Sequence, residues 1–224
     1  TACDRWSDAE LVKGLALIAP GEGVLSEEGS QRVPQTRAYW VVDPLDGTTN
    51  FATGIPVWAI SVARFVDGRP SEVFLDVPAL GQRIVALRGR GVMRNEQALT
   101  TATRQHANSA CVSLCSRSIR VLQRKPNQPF PGKIRLFGVA SLNLVSVAIG
   151  QTIAALEATP KIWDLAAAWL VLDELGCPIR WLDIDPAELS PGQDLSQTSF
   201  PMLAAGSWSE LARLLPWGEA LIQP

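Results

Sequence analysis

Apolar and polar residues follow one another along this chain in blocks mostly short enough for strands, with a few longer blocks at helical spacing. Ser7-Asp8-Ala9-Glu10 has the form of a capping box. Leu11, Leu15 and Ile18 follow at helical spacing, which predicts a helix stopped by Pro20 and Gly21. Residues 24–26 read as a short strand running into Glu27 and Glu28, and 31–37 as a polar loop. A strand is predicted over 39–42. Three more follow over 57–66, 72–77 and 83–87, with turns at Asp67-Gly68 and Leu80-Gly81. Residues 111–115 begin another strand set, and 125–133, rich in Pro and polar residues, form a connection that reads as mobile. A short apolar helix is predicted over 142–149 and a strand over 152–157. A helix over 164–175 is closed by Gly176. After a polar loop over 186–199 come a strand at 202–205 and a helix at 210–215. Strands and helices mixed in this way predict a layered α/β domain.

Trp40-Val41-Val42-Asp43-Pro44-Leu45-Asp46-Gly47-Thr48-Thr49-Asn50-Phe51 breaks the alternation. An apolar strand delivers two carboxylates, three residues apart, to one point. Pro44 biases Asp43 toward an extended backbone. Gly47 allows a sharp turn, and Thr48 or Thr49 is placed to cap a following helix. Two acids held this close repel unless a cation or proton lies between them. Hard oxygen ligands suit Mg²⁺, and a helix start suits a phosphate. The plain competing reading is a turn, since Asp-Gly and Pro clusters usually mark one.

Further acids share the same grammar, an apolar run ending in a carboxylate. Glu27 and Glu28 follow Val24-Leu25-Ser26, and Glu157 follows Ile153-Ala154-Ala155-Leu156. Asp164 follows Ile162-Trp163 and opens a helix, so it is either an N-cap or a ligand. Carboxylates at strand ends commonly meet at one edge of a sheet.

Composition narrows the classes. The chain has 224 residues, is 47% hydrophobic and carries a formal charge of −2. Its basic residues are scattered, which argues against nucleic acid or an anionic membrane as partner. The longest apolar run, 142–156, is broken by Asn143, Ser146, Gly150 and Gln151, and no signal peptide is visible. Cys3, Cys111, Cys115 and Cys177 lack zinc spacing and read as reduced thiols of a cytoplasmic protein. The single histidine, His106, lies in a polar stretch, so Ser-His-Asp and Cys-His catalysis are disfavoured. No P-loop motif is present. Arg88-Gly89-Arg90-Gly91 reads as a solvated turn, and the eight tryptophans as packing residues, with Trp58 nearest the acidic segment.

The segment from Asp43 to Phe51 resembles the signature of the inositol monophosphatase family, metal-dependent and lithium-sensitive phosphatases related to fructose-1,6-bisphosphatase. Ile162-Trp163-Asp164-Leu165-Ala166-Ala167 resembles the second signature. Leu25-Ser26-Glu27-Glu28 resembles the Glu-Glu loop, and Thr1-Ala2-Cys3-Asp4 the Thr-x-x-Asp segment. Gly138-Val139-Ala140-Ser141 and Leu156-Glu157-Ala158 fall where substrate-contacting segments fall. The resemblance implies one domain over 1–224, a layered αβαβα sandwich, with a metal- and phosphate-binding lobe near 1–109 and a substrate lobe near 110–224. It implies a homodimer and two or three Mg²⁺ held by Glu27, Asp43, Asp46, Asp164 and the backbone carbonyl of Leu45. Gly47 and Thr48 would offer backbone N–H groups to phosphate. Thr48, oriented by Asp4 and near Glu27, would help activate the attacking water. Asp46, Glu157 and Asp164 would meet the substrate, and Asn143 and Leu144 would line its pocket. The substrate would be a small phosphorylated metabolite. Inositol 1-phosphate comes first, with histidinol phosphate, sugar bisphosphates and adenosine phosphosulfate derivatives as alternatives. Three departures stand out. About one family helix before Thr1 is absent, Leu142-Asn143-Leu144-Val145 is bulkier than usual, and Lys161 adds a charge beside the second signature. Two other readings are a covalent aspartyl phosphatase, disfavoured by the spacing of Asp43 and Asp46, and a non-catalytic binding protein.

Overall fold

The computed structural model of the chain describes residues 1–101 and 110–223. His106 lies outside them. Two sheets dominate. The first has seven strands in sequence order: β1 (Gly23–Ser26), β2 (Ala38–Asp46), β3 (Ala59–Val66), β4 (Arg69–Val77), β5 (Gln82–Leu87), β6 (Gly91–Arg94) and β7 (Gln97–Leu99). β1 and β2 are parallel, with Ser26 opposite Val42. The remaining pairs are antiparallel. The second sheet runs β11 (Ile179–Trp181), β12 (Met202–Ala205), β10 (Ala154–Glu157), β8 (Cys111–Leu114) and β9 (Lys133–Arg135).

Between the sheets lie α4 (Ala140–Ala148) and α5 (Ile162–Glu174). Both are apolar nearly all round, as a helix covered on two sides must be. Phe65 and Leu75 of the first sheet pack with Leu144, Leu165 and Leu172 in one continuous core. Trp169 sits at its heart, edge-on to Phe65 and Trp181. Outside the first sheet, α1 (Ala2–Ile18) lays Leu11 and Leu15 against Val42 and Val62. Outside the second, α6 (Trp208–Ile222) buries Leu211, Leu214 and Trp217 against Val112, Leu156 and Leu203. The order of layers is αβαβα, as the resemblance implies.

Several local expectations need correction. The first helix begins at Ala2, not after Ser7, and its cap is Thr1, which closes a capping box with Asp4. Ser7 instead lies inside α1, where its hydroxyl is used in tertiary packing. Strand β2 does not stop at Val42. It runs through Pro44 to Asp46, with its pairing to β3 shifted between Asp43 and Asp46, where Pro44 offers no N–H to the ladder. β6, β7, β9 and β11 are strands that the apolar pattern did not mark. The Arg88–Gly91 turn is anchored rather than merely solvated: Gly89 and Gly91 donate backbone N–H groups to Glu174 at 2.7 and 2.8 Å. Two tryptophans are not packing residues, since Trp6 and Trp208 are 67% and 73% exposed. Among the described residues no helix is long and apolar enough to cross a membrane.

Candidate metal and phosphate site

The acids converge because three different elements end at one edge of the sandwich. Asp43 and Asp46 come from the end of β2, Glu27 follows β1, and Asp164 occupies the first turn of α5. Carboxylate oxygens of Asp43, Asp46 and Asp164 all lie within 4.8 Å of one another. Asp43 and Asp46 are buried, Asp164 and Glu27 half-buried, and Glu28 exposed. Among the described residues none of these acids has a Lys or Arg at ion-pair distance.

Their titration reflects that crowding. Burial, and then the charges of Asp46, Asp164 and Glu27, push the Asp43 carboxyl well above the ordinary carboxylate range. Burial and the nearby Asp46 charge raise Asp164 to about 8. Burial first, then Asp46, raises Glu27. Burial also raises Asp46, while N–H donors at the start of α4 pull it back. Acids in this state store repulsion that a divalent cation relieves. The donor set is all hard oxygen, so the residues fit Mg²⁺ better than a softer metal.

The surrounding backbone fixes the carboxylates. Asp43 Oδ1 accepts the Leu45 N–H at 3.0 Å. Asp46 lies across the N-terminus of α4, accepting N–H groups of Ala140 at 3.3 Å and Ser141 at 2.8 Å. Asp164 accepts the Lys161 N–H at 2.7 Å, so it is the third helical residue and Lys161 is the N-cap. Asp164 is therefore a cap partner and a member of the acidic cluster at once. From outside, α1 clamps both acidic strand ends. The Ser7 hydroxyl donates to the Pro44 carbonyl at 3.1 Å, and Ser26 donates to Asp8.

Gly47 turns the chain from β2 into α2 (Thr48–Thr53) with φ of +93°. A Cβ there would sit 2.7 Å from Val139 Cγ2, so both the backbone angle and the close approach require glycine. Neither threonine caps α2. Gly47 is the N-cap, and the Thr48 hydroxyl donates back to the Leu45 carbonyl at 3.0 Å. Asp4 accepts the Thr1 hydroxyl at 2.9 Å and makes no hydrogen bond to Thr48. The expected direct orientation of Thr48 by Asp4 is thus absent from this geometry, because α1 spends the Asp4 carboxylate on its own first turn.

A cleft of about 280 Å³ opens beside the acids. Asp46, Asn50, Arg117, Asn143, Glu157 and Asp164 are among its lining residues. Glu157 is buried and accepts the Asn143 amide at 2.6 Å; burial holds its carboxyl well above the usual range. Asn143 Oδ1 is buried and lacks a partner in the chain. Leu144, expected in the pocket, is not there: one residue round α4 from Asn143, it is fully buried in the central core. Lys161 is not among the lining residues; its ammonium donates to the Ser196 carbonyl at 2.8 Å. Trp58 packs edge-on against Phe51 rather than lining the cleft.

Two contributors escaped sequence reading. Asn50 ties α2 to the segment before α4, donating to the Val57 and Phe137 carbonyls at 2.8 Å each. Its place inside the acidic signature was the available signal. Arg117 had none, because a lone arginine in a Ser-rich turn looks like surface.

Comparison with known proteins bears on the family and the fold. The sequence pattern of the inositol monophosphatase family matches residues 1–214. The chain is 34% identical over 180 residues to the Nus factor SuhB of Xylella fastidiosa, covering 77% of this chain and 65% of that protein. It is also 34% identical over 194 residues to the histidinol-phosphatase of Mycobacterium tuberculosis, covering 82% and 74%. Its fold matches that of an IMPase/NADP phosphatase crystallised with Mg²⁺ and phosphate. The TM-score is 0.78 at 23% identity, over 100% of this chain and 82% of that one. The match across nearly the whole chain, with both acidic signatures meeting at one point, shows that the protein belongs to the inositol monophosphatase family.

Proposed function

We propose that the chain is a Mg²⁺-dependent phosphomonoesterase acting on a small polyol or sugar phosphate, with inositol 1-phosphate the first candidate. One observation carries the reading: Asp43, Asp46 and Asp164 converge beside a cleft with no cationic partner among the described residues. Bound Mg²⁺, two or three ions, would neutralise the phosphate oxygens, lower the pKa of a bound water and align attacking and leaving oxygens. Glu27, Asp43, Asp46, Asp164 and the Leu45 carbonyl would hold it.

The remaining work falls to the chain itself. The first N–H groups of α2 have no partner within the helix, and Gly47 starts that helix directly after Asp46. Those of Gly47 and Thr48 receive phosphate oxygens. Glu27, its carboxyl raised by burial, takes the proton of the attacking water. Thr48 keeps its hydroxyl beside the same point. Asp4 supports the edge through α1 rather than by touching Thr48. Glu157, aimed by the Asn143 amide, accepts a hydrogen bond from a leaving-group hydroxyl. Asp46 and Asp164 face the same cleft and border the leaving group.

Histidinol phosphate, sugar bisphosphates and adenosine phosphosulfate derivatives are alternative substrates of the same site. The similarity to a histidinol-phosphatase supports keeping the first of these. The test is phosphate release from inositol 1-phosphate and from histidinol phosphate, with and without millimolar Mg²⁺. Mg²⁺-dependent release from either supports the reading, and inhibition by lithium would add to it. Release independent of Mg²⁺, a trapped aspartyl phosphate at Asp43, or no release from any phosphate ester in a broad panel overturns it.

A further inference from the structure

We propose that Arg117 sets the substrate class of this cleft by binding a second phosphate, carried on the leaving group. The inference rests on the phosphatase reading above and adds to it a residue and a chemical preference.

Arg117 is the only basic residue lining the cleft among the described residues. It sits in the 3₁₀ turn Ser116–Ile119 that follows β8. The turn is firmly built. Ser118 is fully buried and donates its hydroxyl to the Leu156 carbonyl at 2.8 Å, and the Cys115 N–H bonds the same carbonyl at 3.3 Å. Arg117 therefore projects from a platform tied to β10, the strand that carries Glu157. Its Nη1 donates to Thr159 Oγ1 at 2.8 Å, two residues beyond Glu157. That ties the guanidinium to the same wall of the cleft as Glu157.

Arg117 is exposed and has no ion-pair partner among the described residues. Arg32, Arg37, Arg64, Arg83 and Arg213 all pair with carboxylates. Arg120 and Arg124 bind carbonyls near the end of α6. Arg117 meets a neutral hydroxyl and, among the described residues, no acid at ion-pair distance. A guanidinium has five N–H donors in a planar fork, and the Thr159 bond uses one. The rest are free to grip a phosphate in the bidentate manner that arginine favours over lysine. A cleft with acceptors alone, Glu157 and the unpartnered Asn143 Oδ1, would suit any polyol. Adding a guanidinium with unused donors to the wall that carries Glu157 favours a polyol that carries a second dianion.

The experiment uses the whole chain with Mg²⁺ and the matched pair fructose 1-phosphate and fructose 1,6-bisphosphate, which share the reacting ester and differ by the distal phosphate. Inositol 1-phosphate is run beside them. The wild type should prefer the bisphosphate in kcat/KM. In Arg117→Gln the ratio of kcat/KM for the two fructose esters should fall about 10- to 100-fold, through KM, as loss of a charge-assisted hydrogen bond requires. Arg117→Lys should restore part of the ratio. A ratio untouched by Arg117→Gln, or both esters losing in equal proportion, overturns the inference while leaving the phosphatase intact. Mg²⁺-dependent release from inositol 1-phosphate with neither fructose ester hydrolysed also overturns it. No release from any of the three points to failure of the underlying reading, and the inference falls with it.

Discussion

At the scale of single residues, the protein combines acids it cannot comfortably ionise with a glycine it cannot replace. Asp43→Asn and Asp164→Asn each remove one converging carboxylate. Each should abolish Mg²⁺-dependent turnover, measured as phosphate release across a Mg²⁺ titration. Stability should move the other way for Asp164→Asn, because below about pH 8 the folded chain must hold this carboxyl protonated among its neighbours, a cost that Asn does not carry. Without metal, thermal unfolding of that variant should come at higher temperature than the wild type. A less stable variant would mean that the Lys161 N–H bond outweighs the repulsion. Gly47→Ala tests the turn. A methyl group meets Val139 Cγ2 at 2.7 Å, and φ of +93° is strained for any L side chain. The expected cost is about 2 kcal/mol or more in denaturant unfolding, together with a large loss of rate. Wild-type stability and rate in this variant would show that α2 need not start where it does.

At the scale of elements, the site exists because ends meet. β2 carries Asp43 and Asp46 past the point where its regular pairing with β3 breaks. The N-terminus of α4 holds Asp46, and the first turn of α5 brings Asp164. Each junction had a local signature: the acid-Pro-acid-Gly run, and the Trp-Asp that opens a helix. The element types were readable for the same reason, since period-two and helical patterns differ sharply where one face is buried. The unmarked strands β6, β7, β9 and β11 are short and mixed in character, and they become strands by pairing with a neighbour. The start of α1 was misplaced because two capping boxes compete. Ser7-Asp8-Ala9-Glu10 fits the pattern, but Thr1 with Asp4 closes the observed one, and Ser7 is drawn to the Pro44 carbonyl.

At the scale of the whole molecule, metal and fold are linked through protons. Asp164 titrates at about 8 in the folded chain against a usual 3.8, so between those values the folded state holds the extra proton. Asp43 and Glu27 are raised in the same direction. Metal-free stability should therefore be greatest near and below pH 4 as far as these groups contribute, and should fall as pH rises toward 8. Mg²⁺ requires the ionised carboxylates, so it should stabilise most at the alkaline end and flatten the profile. Melting temperatures from pH 5 to 8.5, with Mg²⁺ and with chelator, check this. A metal-free protein that gains stability over that range would show that the acids are not crowded as described.

The sequence by itself determined the layered class, the two acidic signatures and the family, because these depend on patterns within a few consecutive residues. It also named the acids that converge. Only the tertiary structure decided what each side chain faces. Asn143 enters the cleft while Leu144 turns into the core, a matter of helix rotation set by packing on both sheets. Lys161 is taken by the Ser196 carbonyl and Arg117 supplies the charge in its place, a matter of which long side chains find partners across the fold. Asp4 bonds within the first turn of α1 and makes no hydrogen bond to Thr48. Local pattern specifies the faces and ends of elements; the direction of a side chain at a site depends on neighbours distant in sequence, brought there by burial of the core between the two sheets.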